Sequence, residues 1–173
     1  LKMKKIKLYK SHGMKRQKHY WHELPGLNYR LTNIQAALGC AQFESLDKII
    51  NMRKTMYKHY CKFLNNQEGI SMQVISNNVS AVMWAVAVLL DTNYFPQGRD
   101  EVMKEMSNQM IETRPGFYPF NRMKPFIKYC KGKYNSTEDI SLKSISLPSS
   151  PFLKKSELKY ITSKFVKEVE KII

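Results

Sequence analysis

The sequence predicts a long amphipathic helix leading into a small α+β domain, with a loop rich in aromatic and basic residues ahead of the helix. Three observations carry this expectation. Ile34, Ala37, Leu38, Ala41, Ile49, Met52, Met56, Tyr60 and Phe63 recur at spacings near three and four, which places them on one face of a helix reaching about Leu64. Beyond it, short apolar runs of strand length alternate with helical periodicity. Pro and Gly fall between those runs, where a chain turns.

Taken in order, residues 1–9 carry a weak helical signal, with Ile6 and Tyr9 on one side. Residues 11–30 read as an extended loop punctuated by Gly13 and by the turn dipeptide Pro25-Gly26. Thr32 suits an N-cap, and Gln35, three residues on, is placed to close a capping box. The small residues Ala36, Ala37, Gly39 and Ala41 let another backbone approach the start of the helix. Asn65 to Gly69 has the composition of a helix stop and turn. Residues 71–76 alternate weakly, as an edge strand does. Residues 82–90 form a near-continuous apolar run containing Trp84, the pattern of a central strand buried on both faces.

Residues 100–110 then read as a helix with Val102, Met103 and Met106 inward. Residues 112–119 read as a strand and turn, because Pro115 and Pro119 exclude a helix interior. Residues 145–147 form a short strand ended by Pro148. Ser156 is the expected N-cap of a terminal helix whose apolar side is Leu158, Ile161, Phe165, Val169 and Ile172. No internal repeat or low-complexity segment is present. The expected division is near Asn65: residues 1–65 as loop and connecting helix, and residues 66–173 as the small α+β domain.

A chain of 173 residues with 43% hydrophobic and 12% aromatic content is long enough for a real core. Its first residue is Leu1 and its first methionine Met3, so a piece of a longer chain is expected. The net charge is +15, and residues 1–19 hold eight basic side chains, two of them Lys15 and Arg16, without an acidic one. Such a run is compatible with nucleic acid. Only Arg16, Arg30, Arg53, Arg99, Arg114 and Arg122 of the 29 basic residues are arginine, however. Base-edge recognition leans on arginine forks, so the surplus reads first as a solvated lysine-rich face or as surface facing another domain.

Cys40, Cys61 and Cys130 are widely spaced and read as buried small hydrophobes in a reducing compartment. His19 and His22 stand three apart without further ligands, so no metal site is expected. The basic N-terminus is not followed by an apolar run long enough for a signal peptide. The longest apolar run, residues 81–90, falls short of the roughly 20 residues that cross a bilayer. A cytoplasmic protein without a membrane partner is expected.

Three blocks resemble one known family. HYWHELPGLNYRLTNIQAALGCAQFESLD is similar to the segment that follows the cofactor lysine in the DegT/StrS family of pyridoxal-phosphate-dependent sugar aminotransferases. IETRPGFYPFNRMKPF resembles the small-domain signature of that family, most closely in its GDP-perosamine synthase branch, and SISLPSSPFLKKSELKYI resembles its closing segment. The resemblance implies an α/β fold of the fold type I aminotransferase kind, represented here by the end of the large domain plus the small C-terminal domain. It implies pyridoxal 5'-phosphate as cofactor and transfer of an amino group from glutamate to a nucleotide-linked keto deoxysugar. It also implies a homodimer, or association with an N-terminal half. The Schiff-base lysine belongs to a segment upstream of the matched blocks, so this chain alone is expected to be inactive.

By resemblance, Asn28 and Arg30 match residues that reach across the dimer interface, Asn28 to the cofactor phosphate of the neighbouring subunit and Arg30 to the carboxylate of the amino donor. Their chemistry suits those roles: an amide donates to a phosphate oxygen, and a guanidinium fork holds a carboxylate through two hydrogen bonds. From the residues alone, Asn28 would merely tolerate a turn and Arg30 would pack on the long helix. Arg114, Tyr118 and Asn121 belong to the second block and are the expected substrate-binding residues, Arg114 for a diphosphate and Tyr118 for a ring. The alternative for this pair is a surface ion pair and a core tyrosine. Asn121 replaces a histidine common in the family, and an amide exchanges hydrogen bonds but takes up no proton near neutral pH. Two other classes stay open: a non-catalytic dimerisation or interaction remnant, which would bind a relative without making product, and a basic nucleic-acid-binding domain, whose affinity would fall steeply with salt.

Overall fold

The computed structural model describes residues 2–15, 17–18 and 20–170, with side chains through residue 167. His19, Arg16, Ile172 and the side chain of Val169 therefore lie outside the described residues. Contacts divide the chain into two compact units, Leu1–Leu46 and Asp47–Ile173, a division ahead of the one expected near Asn65.

The first unit contains helix α1, Lys2–Tyr9, and helix α2, Asn33–Glu44. The capping box forms as its sequence predicts: Gln35 N–H donates to Thr32 Oγ1 at 3.2 Å, and Thr32 N–H to Gln35 Oε1 at 2.9 Å. Between these helices the chain folds back on itself instead of running extended. His12 N–H donates to Leu27 O, and Tyr29 N–H to Lys10 O, at 3.0 and 2.9 Å. A second pairing joins Met14 to His22.

The long helix does not run through to Leu64 unbroken. It stops at Glu44, Ser45 closes the last turn through N–H bonds to Gln42 O and Phe43 O, and α3 follows as Leu46–Leu64. The apolar phase differs on the two sides of Ser45. Helix α3 buries Met56, Tyr57, Tyr60 and Leu64, whereas Ile34 and Leu38 on α2 are 76% and 64% exposed. Leu64, four residues after Tyr60, takes the inward position expected of Phe63, which sits against the His59 ring at 4.5 Å.

The second unit is built on an antiparallel sheet of order β1-β2-β4-β3. Its strands are β1 Ile70–Met72, β2 Val86–Leu90, β3 Arg114–Pro115 and β4 Ser144–Leu147. Helices α4, Gly98–Asn108, α5, Asn135–Lys143, and α6, Lys155–Glu170, complete the unit. One core gathers Val86, Val88 and Leu90 of β2, Ile145 and Leu147 of β4, Tyr60 and Leu64 of α3, Val102 and Met106 of α4, and Ile161 and Phe165 of α6. Tyr60 is fully buried but its hydroxyl still donates to Pro148 O at 2.8 Å. A buried hydroxyl without such a partner would be destabilising.

Several expectations are corrected. Strand β2 lies inside the sheet but buries one face: Ala87 is exposed and Leu89 half-buried between the inward valines and Leu90. Trp84 lies ahead of β2 and is 63% exposed. The strand expected over residues 112–119 is only two residues long, Arg114–Pro115, and lies at the sheet edge, where proline is tolerated. Helix α6 starts at Lys155, and Glu157 Oε2 accepts Lys154 N–H at 2.6 Å, so Ser156 is inside the first turn instead of capping it. Cys40 is exposed and Cys61 and Cys130 half-buried, so none of the cysteines is a fully buried core residue. Helix α5 is not signalled by the sequence, since it buries only Ser141 and has no apolar stripe. Among the described residues no helix is long and apolar enough to cross a membrane.

Candidate functional site

In the first unit, two backbone segments cross at contact distance. A Cβ on Gly26 would stand 2.1 Å from Gly13 N, and one on Gly13 would stand 1.9 Å from Leu24 O. Gly13 also has φ +68°, a conformation that costs other residues strain. These two glycines bring residues 26–30 back against the end of α1, where Leu27 N–H donates to Tyr9 O at 2.7 Å. Asn28 and Arg30 emerge from this crossing, both exposed. Arg30 N–H donates to Asn28 Oδ1 at 3.4 Å, and Arg30 Nε–H to Ser11 Oγ at 3.1 Å. Arg30 is thus oriented by a serine. Ser11 carries no signal in the sequence, because its partner is 19 residues away.

The neighbouring hairpin is held by Glu23, which accepts Trp21 Nε1–H at 3.0 Å and pairs with Lys15 Nζ at 2.8 Å. The Lys15 hydrogen bond, with help from Trp21, holds the Glu23 carboxyl below its ordinary value. Among the described residues no group of three or more His, Cys, Asp or Glu side chains could hold a metal ion.

In the second unit, Arg114, Tyr118 and Asn121 lie along one segment but face different neighbours. Arg114 pairs with Glu112, Nη2 to Oε1 at 3.0 Å, both side chains 78% exposed. Tyr118 is 55% exposed, not a core residue, and the Arg99 guanidinium stands 5.7 Å from its ring centre. Such cation–ring contacts are attractive. Asn121 Nδ2–H donates to Glu138 Oε1 at 2.5 Å, while Arg122 holds Glu138 Oε2 through Nε–H at 3.0 Å and through Nη2. Arg122 first, and then Asn121, keep the Glu138 carboxyl below its usual range against the opposing effect of desolvation.

Arg114 also lines an open cavity of about 960 Å³ with Trp84, Met110, Phe117, Pro148 and Tyr160; Tyr118 and Asn121 are not in its wall. The Trp84 and Phe117 ring centres stand 6.1 Å apart in its wall. Sequence reasoning missed Trp84 as a surface residue because its run looked like buried strand. Arg99, Glu138 and Ser141 were missed because single polar residues in weakly periodic helices give no pattern to read.

The chain is 34% identical over 153 residues to the GDP-perosamine synthase of Escherichia coli O157:H7, covering 88% of this chain and 40% of that protein. It is 36% identical over 156 residues to that of Vibrio cholerae, covering 88% and 41%. The chain thus spans about two fifths of the length of these curated relatives. The fold matches Helicobacter pylori PseC, described as an aminotransferase involved in the biosynthesis of pseudoaminic acid, with a TM-score of 0.85, 20% identity, and coverage of 97% of this chain and 46% of that one. It also matches the aminotransferase TlmJ from Streptoalloteichus hindustanus, with a TM-score of 0.84, 15% identity, and coverage of 97% and 44%. The architecture is therefore part of an α/β aminotransferase fold. Residues 2–166 match the DegT/DnrJ/EryC1/StrS aminotransferase family, and the chain belongs to it.

Proposed function

We propose that this chain is the C-terminal portion of a pyridoxal-phosphate-dependent aminotransferase that moves an amino group from glutamate to a nucleotide-linked keto deoxysugar, and that it is inactive by itself. The observation that carries the reading is the glycine crossing that presents Asn28 and Arg30 together at the surface. With Asn28 Oδ1 turned to the Arg30 N–H, the amide N–H₂ makes no hydrogen bond among the described residues. An outward amide donor and a guanidinium suit two anions, the phosphate of a cofactor and the carboxylate of a donor. A relative from Bacillus subtilis, 31% identical, is named a putative pyridoxal phosphate-dependent aminotransferase.

When bound, the cofactor supplies the electron sink for exchanging an amino group with a carbonyl. The residues of this chain bind and orient. Asn28 donates to a phosphate oxygen of the cofactor in the neighbouring subunit, and Arg30, aimed by Ser11, grips the glutamate carboxylate. Arg114 meets the diphosphate of the sugar nucleotide, Tyr118 packs on a ring, and Asn121 exchanges hydrogen bonds with the sugar. Asn121 moves no proton near neutral pH, so proton transfer falls to the cofactor lysine outside this chain.

The test is made in the complete enzyme. Arg30→Met raises the KM for glutamate roughly tenfold or more, the loss of a charge-assisted bidentate contact, and leaves cofactor affinity unchanged. Asn28→Ala weakens the cofactor and leaves the glutamate KM alone. Wild-type constants in both variants would end the assignment. A second reading, a non-catalytic dimerisation module, is favoured by the exposed Leu31, Ile34, Leu38 and Phe43. It predicts association with an intact relative and no product on adding a cofactor-binding half.

A further inference from the structure

Arg99 occupies an unfavourable place. Its side chain is 5% exposed in the first turn of α4, so a cation is taken out of water at the positive end of a helix dipole. Its partners are one exposed carboxylate, Asp100, at 2.9 Å, and one carbonyl, Ser141 O, at 2.6 Å, with the Tyr118 ring alongside. A buried guanidinium so sparsely paired contributes little to stability compared with an apolar side chain of similar volume. It does connect α4, α5 and residue 118.

Helix α5 makes the other connections. Ser141 Oγ–H donates to Phe117 O at 3.0 Å. Three residues earlier, and so on the same helix face, Glu138 accepts from Asn121 and Arg122. Where α5 runs into β4, Ser144 O accepts Gly116 N–H at 2.9 Å. Any Cβ at residue 116 would stand 1.6 Å from Ser144 Oγ. Residues 116–122 are thus tied at Gly116, Phe117, Tyr118, Asn121 and Arg122. All five ties run to α5, to the residue that follows it, or to the arginine bound to it.

We propose that Glu138 and Ser141 of α5, with Arg99, are positioning residues that preset residues 116–122 for the sugar nucleotide. The assignment of Tyr118 and Asn121 to that substrate rests on the function proposed above. None of the three need touch substrate. Their effect is to remove the ordering that the segment would otherwise undergo on binding, which improves affinity without adding a contact.

Two measurements test this. In the 173-residue chain, Ser141→Ala and Glu138→Ala each speed amide hydrogen exchange at Gly116 and Arg122 roughly tenfold, the equivalent of one lost hydrogen bond, with the urea midpoint held near that of the parent. Alanine favours helix, so α5 itself persists. In the complete aminotransferase the same variants, and Arg99→Met where it folds, raise the KM for the keto-sugar nucleotide about tenfold and leave the glutamate KM unchanged. Unchanged exchange at Gly116 and Arg122 overturns the proposal. So does a fall in the urea midpoint with both KM values moving together, which marks a merely structural role. Tyr118→Phe and Asn121→Ala separate the two ideas: if neither alters the KM for the sugar nucleotide, the substrate assignment fails, while exchange still decides whether α5 presets the segment.

Discussion

The two units of this chain satisfy their apolar residues in opposite ways. In Asp47–Ile173 the apolar faces of α3, α4 and α6 and the inward side of the sheet close on one another. In Leu1–Leu46 the only buried described residue is Gly13, while Leu27, Tyr29, Leu31, Ile34, Leu38 and Phe43 are exposed. Order there rests on backbone hydrogen bonds across a glycine crossing and on one capping box. Side-chain packing therefore stabilises the second unit, whereas the first leaves its apolar side chains exposed.

Breaking the packed unit has the largest effect. Phe165 is fully buried, and Phe165→Ala is expected to lower unfolding free energy by about 3–5 kcal/mol, read as a lower urea midpoint. Next is Gly26→Ala, whose methyl would meet Gly13 N at 2.1 Å. It should cost about 2 kcal/mol locally by forcing two backbones apart. The check is faster exchange at His12, Leu27 and Tyr29 with the second unit's protection retained. Tyr60→Phe removes the bond to Pro148 O and should cost about 1–2 kcal/mol, because the carbonyl loses its donor.

A pH effect separates the units further. His59 on α3 has its ring Nε2 buried without a partner among the described residues. Its pKa lies below the ordinary 6.5, first through desolvation and then through Lys159 and Lys62, against the raising effect of the Leu158 backbone. The folded state therefore binds this proton less readily than the unfolded chain. The stabilisation is complete above pH 6.5 and declines as pH falls from there towards the folded pKa. His59→Phe should flatten that decline in the urea midpoint. The smallest effect on folding is expected on α2, where Ile34→Lys or Leu38→Lys should change stability by less than about 0.5 kcal/mol. The same change should reduce self-association in sedimentation.

How much was legible in the sequence follows the range of each signal and not the division into units. The capping box at Thr32 and Gln35, the terminal helix and the strand at 145–147 were readable because caps and apolar periodicity are local signals. The break at Ser45 was not, because the small-residue face of α2 and the packed face of α3 merge into one stripe on paper. Helix α5 was invisible since its contribution is made through the side chains of Glu138 and Ser141, polar residues whose partners are 16 to 24 positions away. Asn28 and Arg30 are proposed through the family's motif, whereas Ser11, which accepts Arg30 Nε–H, is seen only once the chain folds back.

The most direct measurement of the central claim is product formation from glutamate and a GDP-linked keto deoxysugar. It would be assayed with pyridoxal phosphate for this chain alone and after joining or adding the cofactor-binding portion that carries the lysine. The account predicts no product from the chain alone and turnover once that portion is present. Product from the isolated 173 residues, or none from the completed enzyme on any nucleotide-linked keto sugar, would contradict it.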